Sequence, residues 1–364
     1  MTTLQIDLGR QWRGGQSQAY LLATGLSECG HTVEIVGVSG SPFLERARCA
    51  GMTVHGVGPR ARRLQATLLL RRLLATRRFD IVHAHEPHAL TAAVWAGASG
   101  PSGLVAARRV AYPLSRSAFS RLRYVRARRI VAVSNFVRDS VIASGFPPAQ
   151  VEVVYDGVPL PRAAEMGERA LSRKRWMEDD RALLLGCVGC LLPEKGQDLL
   201  IRALPLVRRR LPGCRLLLAG DGPSRAGLER LARECGVGEA VRFAGWVEDI
   251  ADVYRAMDVF LFPSVAEPLG SSLLAAMAHG LPVVARRGGA VPEVIAHGSN
   301  GLMIDGADPA ALAAAVINMA DDPAIAERLG RAARQTIERS FSAERMVANT
   351  VAVYRRVCEG GTAS

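Results

Sequence analysis

The sequence is poor in aromatic residues and almost without lysine. Aromatic side chains make up 5% of its 364 residues, and Lys174 and Lys195 are the only lysines among 46 basic residues. A basic chain without aromatic residues among its arginines offers no stacking surface to nucleic acid bases. We therefore expect no nucleic-acid partner, although the formal net charge is +12.

Long apolar runs and a regular set of cysteines are also absent. No run of about 18 uncharged apolar residues occurs, so we expect no membrane-spanning helix. The first residues include Asp7 and lack the apolar core of a signal peptide, which favours the cytoplasm. The seven cysteines, an odd number scattered along the chain, do not predict a disulfide framework.

Nearly all of the excess positive charge lies in the first half of the chain. Residues 1–160 hold 20 arginines against nine acidic residues, whereas the other 26 basic and 25 acidic residues nearly cancel. Segments 60–78 and 108–129 alone carry seven and eight arginines. This distribution favours an anionic partner, and we expect the inner face of the plasma membrane, with a solvated arginine-rich surface as the alternative.

Short β-like segments alternate with helical ones along almost the whole chain. This rhythm predicts parallel sheets with helices on both faces. It stops near residues 159–180, which contain prolines and a charged run, and then starts again. The sequence therefore predicts an α/β protein with two Rossmann-like domains facing each other across a cleft. The predicted parts are an N-terminal domain (1–160), a linker (161–180), a C-terminal domain (181–340) and a final helix (341–364) that packs back toward the first domain.

Ligands of parallel sheets bind where the carboxyl ends of strands lead into helices. In the first half, paired glycines in RGGQSQ would let a phosphate approach a helix start. The pattern HAHEPH at 83–88 suggests a metal site, but Pro87 stands where the binuclear pattern needs Asp, so we expect no metal. Hydrogen bonds to sugar hydroxyls or a phosphate suit this edge better, and a buried histidine pair is the alternative.

In the second half, an acidic and a basic residue flank a predicted anion site. Lys195 lies in a tight turn after a strand, and Glu267 precedes an apolar helix that begins near Gly270. A helix N-terminus binds anions, so we expect a carboxylate beside it to accept hydrogen bonds from neutral hydroxyls; the alternative is that it caps the helix. Cys187 and Cys190 form a CxxC on a strand, where they point to opposite faces and predict no zinc or redox site. Together these features predict a nucleotide-sugar site.

The C-terminal half resembles a family-4 glycosyltransferase of the GT-B fold. The resemblance is carried by VGCLLPEKGQDLLIRAL, LLLAGDGPSRAGLERLA, SVAEPLGSSLLAAMAHGLPVVA and GGAVPEVI, in this order and at matching spacing. The N-terminal half is similar through WRGGQSQ, FDIVHAHEP, RRVAYPL and IVAVSNFVRDSVIASG. The resemblance implies a retaining transfer of a sugar from a nucleotide diphosphate, without a metal or other cofactor. The donor would lie on the C-terminal domain and the acceptor on the N-terminal one.

Carried over by position, the resemblance implies roles for individual residues. Glu267 would contact the donor sugar and Lys195 would hold the diphosphate, and these two form the expected catalytic pair. The other residues expected at the donor are Gly15 at the distal phosphate, the amides of Gly270, Ser271, Ser272 and Leu273 at the diphosphate, and Trp246 near the base. On the acceptor side we expect His83, His85 and Glu86.

Two donor positions depart from the family pattern. Ala275 stands where the family has a second Glu that holds the ribose, and Cys190 stands where it has a phosphate-binding Arg. Where many members have a His after the fourth or fifth strand, this chain has Arg108 and Arg109. We hypothesise that one of these arginines replaces the missing cation at the diphosphate.

These observations predict a retaining, metal-independent glycosyltransferase that is peripheral on the membrane. Its donor would be a UDP-, GDP- or ADP-linked sugar, and its acceptor a lipid-linked or lipopolysaccharide-type glycan. Two alternatives stay open: a nucleotide-sugar 2-epimerase of the same architecture, and a transferase-derived protein that binds nucleotide sugars with weak or no turnover.

Overall fold

The computed structural model describes residues 1–98, 103–114, 118–162, 167–177 and 182–359. The chain divides into two compact units. Unit 1 comprises Met1–Gly157 and the residues from Ala343 onward, and unit 2 comprises Val158–Ser342.

Unit 1 is built on a seven-stranded parallel sheet. Its strands are β1 (Thr2–Asp7), β2 (Thr32–Val38), β3 (Thr53–Val57), β4 (Ile81–Ala84), β5 (Gly103–Arg108), β6 (Arg129–Ala132) and β7 (Val151–Val153). They lie in the order β3-β2-β1-β4-β5-β6-β7. Strands β2 and β3 are added on one side of β1, and β4 is added on the other side, so the carboxyl ends of β1 and β4 lie side by side where the strand order reverses. Open α/β sheets bind ligands at this point.

The helices of unit 1 follow its strands in alternation. They are α1 (Gly14–Glu28), α2 (Pro42–Cys49), α3 (Arg62–Thr76), α4 (Pro87–Trp95), α5 (Ala118–Val125) and α6 (Asn135–Ala143). Helix α1 contacts α2, whereas α3 and α5 both contact α4. The first strand, β1, lies in the middle of the sheet, and the chain adds strands first on one side of it and then on the other. With right-handed crossovers, this order places α1 and α2 on one face of the sheet and α3, α4 and α5 on the other.

Unit 2 repeats the arrangement with six parallel strands. They are β8 (Leu184–Val188), β9 (Arg215–Ala219), β10 (Val241–Gly245), β11 (Val259–Phe262), β12 (Val283–Arg286) and β13 (Leu302–Ile304), in the order β10-β9-β8-β11-β12-β13. Its helices are α7 (Glu168–Trp176), α8 (Gln197–Arg210), α9 (Arg225–Glu234), α10 (Ile250–Ala256), α11 (Ser271–Ala278), α12 (Val291–Val294), α13 (Pro309–Asp321) and α14 (Pro323–Thr336). Leucine and valine side chains from one face of its sheet pack with helices α8, α9, α13 and α14 in a large apolar core. The predicted fold class is confirmed, with β8 and β11 as the central neighbours.

Two terminal segments complete the description. Helix α15 (Ala343–Glu359) belongs to unit 1, where it packs on α1 and buries Met346, Val351 and Tyr354. Within the segment predicted as a linker, α7 packs on α10 of unit 2. Arg173 on α7 is buried there and donates to the carbonyl of Ala256. The rest of that linker prediction falls largely on 163–166 and 178–181, outside the described residues.

Candidate functional site

An ion pair lies at the carboxyl edge of the sheet of unit 2. Lys195 ends a 3₁₀ turn (Pro193–Lys195) that follows β8, and Glu267 lies in the loop after the adjacent strand β11. Lys195 Nζ donates to Glu267 Oε2 at 2.7 Å, and Ser264 Oγ donates to the same oxygen at 2.8 Å. The two residues expected to be catalytic are therefore in contact.

The carboxylate of Glu267 is held by one of its two oxygens. Its side chain is 11% exposed, that of Lys195 is 30% exposed, and Ser264 is buried. Among the described residues, the hydrogen bonds to this carboxylate all end on Oε2. Oε1 therefore keeps its accepting capacity for a hydroxyl from outside the chain.

Close backbone packing sets the position of the Glu267 loop. Val265 N donates to the carbonyl of Glu194 at 3.0 Å, and Ala290 N donates to that of Glu267 at 2.9 Å. Gly289 has φ +53°, and a Cβ there would lie 2.3 Å from the Glu267 carbonyl oxygen. A larger residue at 289 would push the loop away, so this glycine keeps the carboxylate against the lysine.

The first turn of α11 lies beside this pair. Gly270, with φ +102°, precedes the helix, and a Cβ on it would lie 3.3 Å from Glu267 Cγ. Within the described residues, no side chain makes a capping hydrogen bond to this helix, so Glu267 is not its cap. The N–H groups of the first turn, at Ser271, Ser272 and Leu273, together with the helix dipole, form a site that favours an anion.

Three further residues expected at the donor, Cys190, Ala275 and Trp246, lie in unit 2 and carry no charge. Cys190 is exposed, and its carbonyl accepts from Gln197 Nε2 at 3.1 Å. Ala275 is partly exposed on α11, and Trp246 follows β10 with 68% exposure. By contrast, burial raises the pKa of the Cys187 thiol to about 12, which keeps it protonated and inert.

In unit 1, His83 and His85 belong to a buried hydrogen-bond network. Arg109 Nη1 donates to His85 Nδ1 at 3.1 Å, and His85 Nε2 bonds Gln5 Oε1 at 2.8 Å. Gln5 Nε2 donates to the hydroxyl of Tyr354, which lies 2.7 Å from His83 Nδ1. Since arginine only donates, His85 Nδ1 accepts, and the proton of the His85 imidazole lies on Nε2, which donates to Gln5.

Both imidazoles of this network are neutral. Burial lowers the pKa of His83 and His85 well below the usual 6.5, and the charge of Arg109 acts in the same direction. His83 Nε2 has no partner among the described residues. No group of three or more His, Cys, Asp or Glu in the described part of the chain is arranged to hold a metal ion.

The two arginines at the end of β5 have different surroundings. Arg108 is buried, donates to the carbonyl of Tyr112 and lies 4.8 Å from the centre of its ring. Arg109 Nε donates to Asp156 Oδ1 at 3.0 Å, while its Nη2 makes no hydrogen bond to the described residues. Arg108 is 3% exposed, whereas the Arg109 side chain is 12% exposed, so Arg109 is the more accessible of the pair to an external anion.

Two acidic residues lie at the carboxyl edge of the unit 1 sheet. Glu86 caps α4, since its carboxylate accepts from His88 N and Ala89 N at 2.6 Å each. Asp7 accepts from Gly9 N and from Gln16. Burial, followed by the charge of Glu86, raises the pKa of Asp7 to about 6.

Gly15 is the second residue of α1, whose N-terminus has no side-chain cap. A Cβ at this position would meet no atom within 4 Å. The packing of the chain itself therefore does not require glycine here.

Several residues of these sites were not predicted from the sequence. Ser264, Asp156 and Gln5 each bond one of the predicted side chains. Ser264 and Asp156 could have been found from their place just after strands β11 and β7. Gln5 is a polar residue inside an otherwise apolar strand, and such a residue indicates a buried polar partner, here His85.

Two family models match the chain. Residues 12–162 match a model described as Glycosyltransferase Family 4, and residues 182–322 match one described as Glycosyl transferases group 1. Among solved structures, a glycosyltransferase from Rickettsia africae superposes with a TM-score of 0.87 at 19% identity, covering 98% of each chain. The Anabaena protein HepE in complex with UDP and glucose gives 0.83 at 20% identity, covering 96% of this chain and 98% of that one. At these identities the likeness shows the fold alone.

Curated relatives are more similar in sequence. A GDP-mannose-dependent alpha-(1-6)-phosphatidylinositol monomannoside mannosyltransferase from Mycolicibacterium smegmatis is 34% identical over 270 residues, which cover 66% of this chain and 70% of that protein. The Mycobacterium tuberculosis protein of the same name is matched over 56% of its length. The lipopolysaccharide core biosynthesis glycosyltransferase LpsE of Rhizobium meliloti is 38% identical over 157 residues, which cover 43% of this chain and 45% of that protein.

Proposed function

The chain belongs to glycosyltransferase family 4 and has the GT-B fold, and we propose that it is a retaining, metal-independent transferase of nucleotide-activated sugars. The observation that carries this proposal is the Lys195–Glu267 pair beside the uncapped start of α11. Lys195 and the start of α11 would bind an anion, and Glu267 would bind a neutral hydroxyl. A sugar diphosphate carries both groups.

The arrangement supports catalysis by stabilisation of the leaving group. Negative charge builds on the diphosphate as the glycosidic bond breaks. The first-turn amides of α11 and the ammonium of Lys195 would stabilise this charge with little reorganisation. Glu267 Oε1 would accept a hydrogen bond from a hydroxyl of the sugar, and the departing phosphate oxygen would take the proton of the acceptor.

GDP-mannose is the donor to test first, because the mycobacterial relatives are named as GDP-mannose-dependent mannosyltransferases. A melting-temperature screen with GDP, UDP and ADP and their sugars tests this choice, since the ligand that binds the folded state raises the transition. We expect the guanosine compounds to give the largest shift.

We propose a glycolipid or lipopolysaccharide-type acceptor at an anionic membrane surface. The names of the relatives, a phosphatidylinositol mannoside enzyme and a lipopolysaccharide core enzyme, support such an acceptor. Within the residues that the structure describes, no helix is long and apolar enough to span a bilayer. The arginine excess of unit 1 would supply the attraction to the surface.

The decisive experiment incubates the purified protein with the donor that the screen selects, with and without a short-chain glycolipid acceptor, in the presence of EDTA. We expect a product whose anomeric configuration, read by NMR, equals that of the donor. Inversion, or loss of turnover that a divalent cation restores, would contradict the proposal. An epimer formed without acceptor would favour the 2-epimerase, and tight binding without any product would favour a binding protein.

A further inference from the structure

Helix α3 presents a stripe of leucine and arginine to solvent. Leu64, Leu68, Arg71 and Arg72 follow the spacing i, i+4, i+7 and i+8, which puts them on one side of the helix. All four are exposed, with Leu64 at 57% and Leu68 at 58%, while Ala66, Leu70 and Leu73 face the core. Exposed leucines at helical spacing are not explained by the packing of unit 1.

Helix α5 carries a second stripe of the same composition. Arg121, Leu122 and Val125 are exposed at the spacing i, i+1 and i+4, with Leu122 at 53% and Val125 at 56%, and the exposed Arg126 directly follows the helix. Tyr124 between them is buried. The two helices thus show arginine and aliphatic side chains alternating on their outer sides.

Helix α4 lies between the two stripes, since both α3 and α5 pack against it. Its residues 89–93 are buried, so α4 contributes to the surface mainly at its C-terminal end. Arg71 Nη2 donates to the carbonyl of Trp95 at the end of α4, and Arg123 Nη1 donates to Thr91 Oγ1 in its middle. Trp95 is itself 43% exposed. The sequences of α3, α4 and α5 contain no Asp or Glu, so no acidic side chain of these helices opposes the arginines.

We propose that the outer surface of α3, α4 and α5, called the docking surface below, binds the headgroups and upper acyl region of an anionic phospholipid membrane. This inference rests on the proposed function and specifies the site of its membrane partner. Arginine would attract the anionic headgroups, and leucine, valine and tryptophan side chains would enter the interface between headgroups and acyl chains. Nucleic acid is the weaker candidate, because aliphatic rather than aromatic side chains alternate with the arginines.

Sedimentation with vesicles of 30% phosphatidylglycerol in phosphatidylcholine tests the docking surface. We expect binding that falls steeply with salt and is weak on pure phosphatidylcholine. Each arginine removed from an anionic surface costs about fivefold in the partition coefficient, so Arg71→Gln/Arg72→Gln should weaken binding by about 25-fold. Leu64→Ser/Leu68→Ser should weaken it by about tenfold, with a smaller change in salt dependence.

Matched controls come from unit 2. Arg230→Gln/Arg233→Gln on α9 removes two exposed arginines, and Leu171→Ser on α7 removes a leucine that is 66% exposed. These controls should bind vesicles as the wild type does. Equal binding by the docking-surface variants and the wild type would overturn the proposal, provided that their melting temperatures are unchanged.

Two further measurements distinguish the membrane from other partners of the docking surface, and distinguish a failure of the docking surface from a failure of the proposed function. A dimer that dissociates in Leu64→Ser/Leu68→Ser, or RNA binding that competes with vesicles, would overturn the membrane assignment in favour of that partner. Transfer to a water-soluble short-chain acceptor should stay within twofold of wild type in all variants. If vesicles bind but no sugar is transferred, the proposed function fails alone; if sugar is transferred but vesicles are not bound, the docking surface fails alone.

Discussion

Replacing Lys195 by glutamine tests the electrostatic core of the proposed site. The change removes the ammonium that lies 2.7 Å from Glu267 Oε2 and leaves Ser264 as the remaining described donor to that oxygen. Loss of one preorganised donor to a developing negative charge costs about 10²–10³ in kcat. Because the lysine side chain is 30% exposed, water replaces part of its effect, and we expect the lower end of that range, about 10².

The same substitution should affect stability only modestly. Leaving Glu267 with one fewer partner costs about 1 kcal/mol, which lowers the melting temperature by about 2–4 °C for a unit of this size. The assay is initial-rate transfer at saturating donor, with the melting curve recorded on the same sample. Lys174→Gln is the matched control, since Lys174 is the only other lysine and lies exposed on α7. A kcat of Lys195→Gln within fivefold of wild type would refute the reasoning.

Three further predictions concern residues that the structure brings to the two sites. Ser264→Ala should lower kcat/KM about tenfold, because Glu267 Oε2 loses one of its two hydrogen bonds and the carboxylate can rotate; Ser264→Thr should restore most of the activity in the same rate assay. Arg109→Ala should weaken donor binding, measured by calorimetry, at least fivefold more than Arg108→Ala, whose side chain is committed to the carbonyl of Tyr112; equal effects would contradict the assignment of Arg109 as the available cation. For Asp7, the folded-state pKa of about 6 lies above its ordinary value of 3.8, so its ionisation destabilises the fold as the pH rises from 4 to 6. Urea unfolding at pH 4 and pH 7 should therefore show Asp7→Asn gaining about 2 kcal/mol relative to wild type over that interval, and a constant difference would contradict it.

The arrangement of strands and helices could be read from the sequence because local patterns determine it. The alternation of β-like and helical segments predicted parallel sheets, and the structure has seven parallel strands in unit 1 and six in unit 2. The turn around Lys195 and the start of α11 near Gly270 were equally local. Since parallel neighbours align their carboxyl ends, the meeting of Lys195 and Glu267 then followed from the fold.

Partners that are distant along the chain could not be predicted in this way. The hydroxyl of Tyr354 bonds His83 across 271 residues, because the last helix returns to the first unit. Glu86 stays a prediction for the acceptor side, and its role as the cap of α4 was not predicted. Here a local signal existed, since Pro87 occupies the first position of a helix and residues before such a proline often cap it.

A crystal structure of the protein with a non-transferable analogue of its nucleotide-sugar donor tests the central claim most directly. The account predicts the diphosphate at the first-turn amides of α11 and at Lys195 Nζ, with a sugar hydroxyl within hydrogen-bond distance of Glu267 Oε1. A donor bound with its diphosphate away from α11, or with its sugar out of reach of Glu267, would contradict it.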